Sequence, residues 1–518
     1  MTVHSPWFSL EPYPHISLTD LMERSAHRFQ EKPAFIAAEG PEYTFGHVWE
    51  ASRRLGRFLQ DNGLQKGDRV AILSANAPEY FVAFYGTLFA GGVVTTLSPL
   101  YTEREILHQL EDCEASTVFA MRQLLPQVQS IREHLPTLRH IHAIEDVWSL
   151  SAEAPPEPRP VDLNPDVDLA ALPYSSGTTG LPKGVMLTHY NLTSNVRQTL
   201  ATGLTDSYAV LLDFLPFFHI YGMTVLMACG FAIGATQIVM PRFDPALCLD
   251  LIQRHRITNL FVAPPALLAL ANVTEIDRYD RSSLQFVFSG AAPLPPEVAQ
   301  QGGRALGCTV LQGYGMTETS PVTNVSPLHR VKDAAVGPPI ADTIEKIVSL
   351  EDNRELGVGE TGELLIHGPQ IMRGYWNRPE ETADTITQDG WIRTGDIAQF
   401  DEDGYVYIVD RKKELIKYKG YQVPPAELEA LLMEHPAVAD AAVIPKPDRE
   451  GGEIPKAFVV LKKSEEAPAD EIMAWIAERV APYKKVRELE FVDAIPKSLS
   501  GKILRRQLVE QERAKGDG

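Results

Sequence analysis

The densest chemistry in the chain lies in Tyr174-Ser175-Ser176-Gly177-Thr178-Thr179-Gly180-Leu181-Pro182-Lys183-Gly184. Glycine allows a tight backbone whose N–H groups point inward, serine and threonine add hydroxyl donors, and Lys183 adds one positive charge. Together these residue types can hold phosphate. The usual nucleotide loop, G-x-x-x-x-G-K-[ST], is not written here, because Lys183 precedes the last glycine and Leu181-Pro182 interrupts the run. A plain Ser/Thr/Gly linker is the competing reading. The embedded Pro-Lys pair and the apolar Val185-Met186-Leu187 that follow argue against it.

Four other stretches offer functional groups. In Gln312-Gly313-Tyr314-Gly315-Met316-Thr317-Glu318 a hydroxyl and a carboxylate are adjacent, just past a predicted strand. Ligands of open α/β sheets sit at such strand ends. Thr317 can meet phosphate there, and Glu318 can hold Mg²⁺ beside it. Gly290-Ala291-Ala292 lets a flat ring approach the backbone, or is a simple strand-to-helix turn. Asp396, in Trp391-Ile392-Arg393-Thr394-Gly395-Asp396, can accept hydrogen bonds from a ribose diol or cap a turn. Lys502 stands at the tip of the polar loop Pro496–Lys502, where a lysine is either solvated or functional.

The elements that must position these groups alternate. Hydrophobic spacing predicts helices over 18–30, 46–64, 78–90, 102–113 and 123–134, with strands at 33–38, 43–45, 69–73, 93–97 and 116–120. Residues 151–168, rich in Pro, Glu and Asp, read as an exposed linker. Beyond the opening motif the alternation resumes: helices near 191–200, 247–255 and 265–271, strands near 209–214, 259–262, 285–289 and 309–312. This order predicts layered α/β structure with mostly parallel sheets. Asp403-Gly404 is a two-residue hairpin turn joining strands 398–400 and 405–410. After the charged Asp410-Arg411-Lys412-Lys413-Glu414 the pattern changes to a small α+β unit. Its helices fall near 425–434, 470–480 and 501–512, and its strands near 438–444 and 457–461.

Bulk properties set limits. A chain of 518 residues exceeds one ordinary core. Its 44% apolar and 22% charged residues are those of a soluble globular protein. The formal net charge of -20 argues against nucleic acid or anionic lipid as a partner. From Arg411 onward the chain holds about twenty residues of each sign, so the excess negative charge lies upstream. Cys113, Cys229, Cys248 and Cys308 have no metal-like spacing and read as reduced and buried, which with the lack of a signal-peptide pattern predicts a cytoplasmic location. Between Phe214 and Pro241 the only titratable residues are His219, Tyr221 and Cys229, a length that can span a bilayer. Pro216, Gly222, Gly230 and Gly234 interrupt it, so a buried helix followed by a strand at 236–240 is predicted instead of an integral membrane segment.

Six stretches in this order, Tyr174–Gly184, Phe217–Gly222, Gln312–Glu318, Thr394–Asp396, Asp410–Gly420 and Pro496–Arg505, closely resemble the adenylate-forming superfamily of acyl- and aryl-CoA synthetases, luciferases and adenylation domains. The wording of Gln312–Glu318 with Ser320-Pro321-Val322, and of Lys413–Tyr421, resembles 4-coumarate–CoA ligases and similar acyl-CoA synthetases. The resemblance implies a large N-terminal domain of layered sheets with a distorted β-barrel subdomain over residues 1–410. A hinge at 411–414 and a small mobile α+β domain over 415–518 would follow.

The implied activity has two steps, adenylation of a carboxylic acid by Mg-ATP and transfer of the acyl group to coenzyme A. The implied roles are as follows. Ser175, Ser176, Gly177, Thr178, Thr179 and Lys183 cradle the β and γ phosphates. Gly290, Ala291 and Ala292 flank adenine, with Gln312, Gly313, Tyr314 and Gly315 completing the nucleotide site. Thr317 touches the α-phosphate, Glu318 binds Mg²⁺, and Asp396 and Arg411 hold ribose. Lys502 neutralises the forming acyl-phosphate. Lys413 is the pivot, and after rotation Lys417–Gly420 replaces Lys502, with Lys419 and Gly420 lining the CoA path. His219, Tyr221, Ser289, Met316, Pro321 and Val322 form the acyl pocket, with His219 steering the carboxylate or the thiol, or simply a core histidine.

These pocket residues are small, aromatic or apolar, so the acid should be hydrophobic: a 4-coumarate-type aryl acid or a medium- to long-chain fatty acid. An amino-acid-activating domain would want an acidic residue near Phe217–Gly222, and none lies between Phe214 and Met223. A luciferase-like enzyme, a carrier-protein-directed enzyme and a non-catalytic nucleotide-binding protein share parts of the pattern. The expected assembly is a monomer or homodimer.

Overall fold

The computed structural model describes residues 2–175, 182–418, 421–448, 452–463, 465–498 and 501–516. Two sheets face each other across a layer of helices. The first runs in the spatial order Val322–Val325, Thr309–Gly315, Phe286–Ser289, Asn259–Val262, Val210–Asp213, Thr236–Val239, Pro33–Ala37 and Glu42–Thr44. Its inner strands are parallel and only its two edge pairings are antiparallel. The second is built on Val93–Leu97, Arg69–Leu73, Ala115–Ala120 and His140–Ala143, all parallel, with Leu169–Ala171 leading to the antiparallel strand Lys183–Thr188. Buried strands of Val, Ile, Leu and Phe are what a sheet covered on both faces requires.

Between the sheets, helices Phe45–Asp61 and Pro78–Phe89 cross closely, because Gly56 and Gly86 present no side chain where they meet. A Cβ on Gly86 would lie 2.8 Å from Leu55 Cδ2. Thr44 caps the first helix by accepting from the His47 N–H, and Pro78 opens the second. An aromatic cluster fills the seam: Phe81 lies 4.5 Å from Phe231 and 4.3 Å from Tyr85, centroid to centroid.

A third sheet, Thr2–His4, Ile344–Val348, Gly362–His367, Ile392–Phe400 and Val406–Arg411, is antiparallel throughout. It corresponds to the barrel subdomain expected by resemblance. Among the described residues its pairings form an open path and not a closed barrel. The predicted hairpin is present, with Phe400 opposite Val406, but its connection is longer than the expected two-residue turn: residues 401–405 lie between the strands, and Gly404, at φ +76°, donates its N–H to Asp401 O.

From Ile416 onward a fourth sheet, with Gly452–Leu461 at its centre, packs its own core of Ile416, Leu428, Leu432, Val443, Val459 and Ile472. Three short strands there, Ile416–Tyr418, Tyr421–Val423 and Glu488–Phe491, carry too few residues for periodicity to reveal. The last helix begins at Arg505, not at Gly501, because residues 501–504 pair antiparallel with residues 496–498: Lys497 stands opposite Ile503, and Leu504 N donates to Pro496 O at 2.8 Å.

Other boundaries differ from expectation. Residues 122–134 break into 3₁₀ turns around the short helix Leu125–Ser130, and Val147–Glu153 is a helix entering the expected linker. The apolar stretch 214–241 winds as a π-helix over Tyr221–Ala228, continues as an α-helix to Ile233 and ends in the strand Thr236–Val239. Among the described residues no helix is long and apolar enough to cross a membrane.

Candidate active site

The C-terminal ends of the parallel strands converge on one cleft, as open α/β sheets place their ligands. The strand Phe286–Ser289 delivers Gly290, the strand Thr309–Gly315 delivers the loop to Glu318, and the strand Val210–Asp213 leads to His219 and Tyr221. The antiparallel hairpin arms 496–498 and 501–504 of the small unit close the cleft from the opposite side.

That hairpin carries Lys502. Its backbone N–H donates to Ser498 Oγ at 3.1 Å, and its carbonyl accepts from Ser498 N at 2.8 Å. Gly501 adopts φ +81°, and a Cβ there would lie 2.8 Å from Pro265 Cδ and 3.3 Å from Ala263 Cβ. Both the backbone angle and the close approach require glycine, and they seat the loop tip against the end of strand Asn259–Val262. The Lys502 ammonium titrates below the usual lysine range. Burial is the first cause and Arg411 the second, while Asp396, Glu318 and Glu414 oppose them. Residues more than eighty positions apart in sequence therefore share one electrostatic environment.

Asp396 and Arg411 face each other across strands Ile392–Phe400 and Val406–Arg411, with Arg411 Nε 3.3 Å from Asp396 Oδ1. The other carboxylate oxygen accepts from the Tyr314 hydroxyl, and the Asp396 N–H donates to Thr394 Oγ1 at 3.0 Å. Burial pulls the Arg411 guanidinium down, but Asp396, then Glu414, Tyr314 and Glu318, hold it above its ordinary value. Asp396 is thus a buried, ionic acceptor and more than a turn cap.

Glu318 sits in the 3₁₀ turn Thr317–Thr319 and is buried. Its Oε1 accepts from Ser175 Oγ at 3.1 Å and from the Tyr375 hydroxyl at 2.9 Å. Ser175 is the first residue of the phosphate-type run after Tyr174, so the fold joins that run to the carboxylate. At the far end of the run, Lys183 pairs with Glu381, and its ammonium lies 5.2 Å from the Tyr375 ring centroid. Ser176, Gly177, Thr178 and Thr179 lie outside the described residues, as do Lys419 and Gly420.

His219 enters just ahead of the π-helix. Its Nδ1 accepts from the Tyr221 N–H at 3.3 Å, which leaves the proton on Nε2. Burial first, and the Lys502 charge second, push this imidazole down to about 3. It is therefore a neutral hydrogen-bonding group at physiological pH. Gly222 makes the turn possible, since a Cβ there would lie 2.2 Å from the Pro216 carbonyl oxygen. π-helical turns concentrate at functional sites, and this one begins at Tyr221.

The Tyr221 hydroxyl donates to Phe288 O at 3.3 Å, and its ring lies against Gly290, where a Cβ would be 3.1 Å from Cε1. Ala291 takes φ +72°, turning the chain away from the strand end. Ser289 is buried, and its Oγ has no hydrogen-bond partner among the described residues. Met316 N donates to Pro321 O at 3.1 Å, and both backbone groups of Val322 are held by Asn195, at 3.1 and 2.8 Å. Ser326 N donates to Gln312 O at 2.8 Å, and a Cβ on Gly313 would lie 2.3 Å from Phe288 Cζ.

Lys417 lies apart. It is exposed on strand Ile416–Tyr418, with its N–H donating to Glu453 at 2.7 Å. Lys413 occupies the turn after Arg411. Sequence reasoning missed Tyr375 and Asn195, which hold Glu318 and Val322. Each is a common polar residue whose partner is remote in sequence, so no local signal marks it.

Among the described residues no group of three or more His, Cys, Asp or Glu side chains is placed to hold a metal. One hard oxygen donor, Glu318, held by two hydroxyls, suits Mg²⁺, which usually takes one or two carboxylates and completes its shell with water and phosphate oxygens.

Comparison with known proteins agrees with this geometry. A model of AMP-binding enzymes matches residues 22–376, and a model of the AMP-binding enzyme C-terminal domain matches residues 427–502. The chain is 38% identical to a long-chain-fatty-acid–CoA ligase of Bacillus subtilis (strain 168), over 97% of this chain and 95% of that protein. It is 40% identical to 4-coumarate–CoA ligase 3 of Arabidopsis thaliana, over 95% of this chain and 91% of that one. The crystal structure of ATP-bound MatB from Rhodopseudomonas palustris superposes with a TM-score of 0.89 at 29% identity, over 96% of this chain and 99% of that one.

Proposed function

The chain belongs to the AMP-binding enzyme family, and from that footing we propose that it is an AMP-forming carboxylate–CoA ligase for a hydrophobic carboxylic acid. The observation that carries this reading is the seating of Lys502, from the far end of the chain, in the cleft lined by Arg411, Asp396, Glu318 and His219.

In the first step a carboxylate oxygen attacks the α-phosphorus of ATP. The bond to pyrophosphate breaks, and acyl-AMP forms. Negative charge develops on the transferring phosphoryl oxygens, and fixed donors in a dry site stabilise it strongly. Lys502 supplies one cation there, and Thr317 a hydroxyl. Asp396 accepts from the ribose diol, and Arg411, pinned to Asp396, fixes its orientation. Gly290 to Ala292 leave room for the adenine ring on one side, with Gln312 to Gly315 on the other. Ser175 to Lys183 hold the leaving pyrophosphate. Lys183 must leave Glu381 to do so, and a polyanion is a strong competitor for that ammonium. Glu318 would hold Mg²⁺, which supplies charge neutralisation on the phosphate oxygens.

In the second step the thiolate of coenzyme A attacks the acyl carbonyl. The carbon–oxygen bond to AMP breaks, and a thioester forms. Lys502 must leave for the thiol to enter. The independent core of the small unit supports a rotation of residues 415–518 against 1–410 about the turn 411–414, with Lys413 as pivot. That motion would bring Lys417, Lys419 and Gly420 to the cleft. Neutral His219 then offers Nε2–H to the substrate oxygen or clears the thiol path. Both substrate classes of the relatives, aryl acids and fatty acids, suit a pocket walled by Tyr221, Met316, Pro321 and Val322. No covalent partner is needed, and the cytoplasm supplies ATP and coenzyme A.

The test is a panel of aryl-propenoic and fatty acids offered with ATP, Mg²⁺ and coenzyme A, read by pyrophosphate release and thioester mass. Pyrophosphate release and a thioester with at least one panel member are expected. Release of ADP, or no thioester from any acid, would overturn the reading.

A further inference from the structure

Asp410 ends no catalytic constellation, yet it is a buried carboxylate, 5% exposed, one residue before Arg411. Its Oδ2 accepts from the Ala426 N–H at 2.8 Å, in the first turn of helix Pro425–Glu434, and its Oδ1 accepts from the Arg411 N–H at 2.6 Å. Arg505, three residues beyond Lys502, is a cation facing it. The Arg505 guanidinium is ion-paired with Glu414 and Glu429. Its Nε also donates to the Val443 carbonyl at 3.3 Å. Asp410 stands on strand Val406–Arg411 of the third, antiparallel sheet, whereas Ala426, Glu429 and Arg505 belong to the small unit. The bond from Asp410 to Ala426 therefore crosses the turn 411–414, and the small unit itself covers the carboxylate.

We propose that Asp410 is a proton-linked latch on the rotation of the small unit: a positioning residue whose neutral form keeps Lys502 in the cleft, and whose ionisation releases the unit toward the thioester-forming orientation. This inference rests on the two-step reading above.

The physics of the cluster sets the direction. Two carboxylates, Glu414 and Glu429, take the Arg505 guanidinium, and Asp396 engages Arg411, so Arg505 acts on Asp410 through its charge and not through an ion pair. Burial raises the Asp410 carboxyl to about 7. Arg505 and the two N–H donors pull it back only in part, and Glu429 adds to the rise. Rotation removes the first turn of helix Pro425–Glu434 and Arg505, so the carboxyl returns toward its ordinary value near 3.8. The state with the higher pKa binds the proton more tightly, so acid favours the Lys502-in orientation and alkali the rotated one. For these two values the rotated-to-closed ratio rises about tenfold between pH 6 and pH 8.

Two variants of the full chain separate the contributions. Asp410→Asn keeps an acceptor for the Ala426 N–H and has no proton to lose. Asp410→Ala leaves that N–H without its acceptor. Orientation is read by energy transfer between dyes on cysteines placed at exposed Tyr208 and Asp470, from pH 6 to pH 8. Turnover is read separately as pyrophosphate formation and as thioester formation from supplied acyl-AMP.

In the wild type the transfer should change with pH, and in Asp410→Asn it should stay at its acid value. Thioester formation in Asp410→Asn should fall about tenfold at pH 8 while pyrophosphate formation holds. Asp410→Ala should shift the partition the other way. A wild-type pH response retained in Asp410→Asn, or the same direction of shift in both variants, would overturn the latch. Should Asp410→Ala fail to fold, the dye transfer of Asp410→Asn decides alone. If the wild type made no thioester from any acid, the two-step reading would fall, and the dye transfer would still test the latch.

Discussion

Ser175 Oγ donates to Glu318 Oε1 at 3.1 Å, so a residue of the hydroxyl-rich run and the carboxylate of a distant loop meet in one bond. The same oxygen takes the Tyr375 hydroxyl at 2.9 Å. A carboxylate held this way is oriented before any ligand arrives, and its position relative to the phosphates is set by two neutral donors that leave its charge intact.

That arrangement makes Glu318 sensitive to a neutral replacement. Glu318→Gln keeps the size and the hydroxyl contacts and removes the charge. The Mg²⁺ concentration for half-maximal pyrophosphate release, at fixed ATP, should rise by about tenfold or more. An unchanged Mg²⁺ dependence would remove Glu318 as the metal ligand.

Lys502 should divide the two half-reactions. Lys502→Ala removes the cation seated by the hairpin arms 496–498 and 501–504. Pyrophosphate formation should fall by about 10²–10³-fold, the usual loss for one preorganised donor. Thioester formation from supplied acyl-AMP should persist. Equal loss of both would contradict a Lys502 that acts only in the first step.

The His219 imidazole, held down to about 3 by burial and by Lys502, stays neutral across the working range. An unfolded histidine titrates near 6.5, so the unfolded state binds this proton more tightly. The native state is therefore progressively penalised as pH falls below about 6.5, down to about 3. His219→Gln lacks that penalty. Its stability in urea relative to wild type should improve steadily between pH 7 and pH 4, and a constant difference would place a charge on His219 in the native state.

Tyr221 should set the size of the acid. Its ring stands against Gly290, with 3.1 Å from a Cβ built there to Cε1. Tyr221→Ala opens that wall. The ratio of kcat/KM for a bulkier acid to that for the preferred wild-type acid should rise by about tenfold, the scale on which pocket volume discriminates. No change in the panel profile would move the specificity wall elsewhere.

Much of the candidate site was legible as candidate residues before folding because those residues lie in short runs at strand ends. Gln312–Glu318 lies at the end of a strand of apolar residues, Asp403-Gly404 announces its hairpin, and Pro496–Lys502 stands out as a polar loop. The π-helix over Tyr221–Ala228 was not legible, since an apolar run of that length has no periodicity to distinguish one winding from another. Arg505 entered only as the last residue of the stretch Pro496–Arg505, and Asp410 only as part of a charged break. Their burial and pairing appear only when strand Val406–Arg411 and helix Pro425–Glu434 come together.

The order of motifs along the chain pointed to the AMP-binding family and its CoA-ligase activity and singled out the candidate residues, because each motif is a local run whose chemistry travels with its sequence. Tertiary structure decided which of those groups act together. Only folding sets Lys502 beside Arg411 and His219, joins Ser175 to Glu318, turns Asp396 from a possible cap into a buried acceptor, and covers Asp410 with the small unit. The physical reason is burial. A carboxylate, an imidazole or an ammonium has an ordinary pKa in sequence, and only the desolvated neighbours that the fold assembles give it a different one.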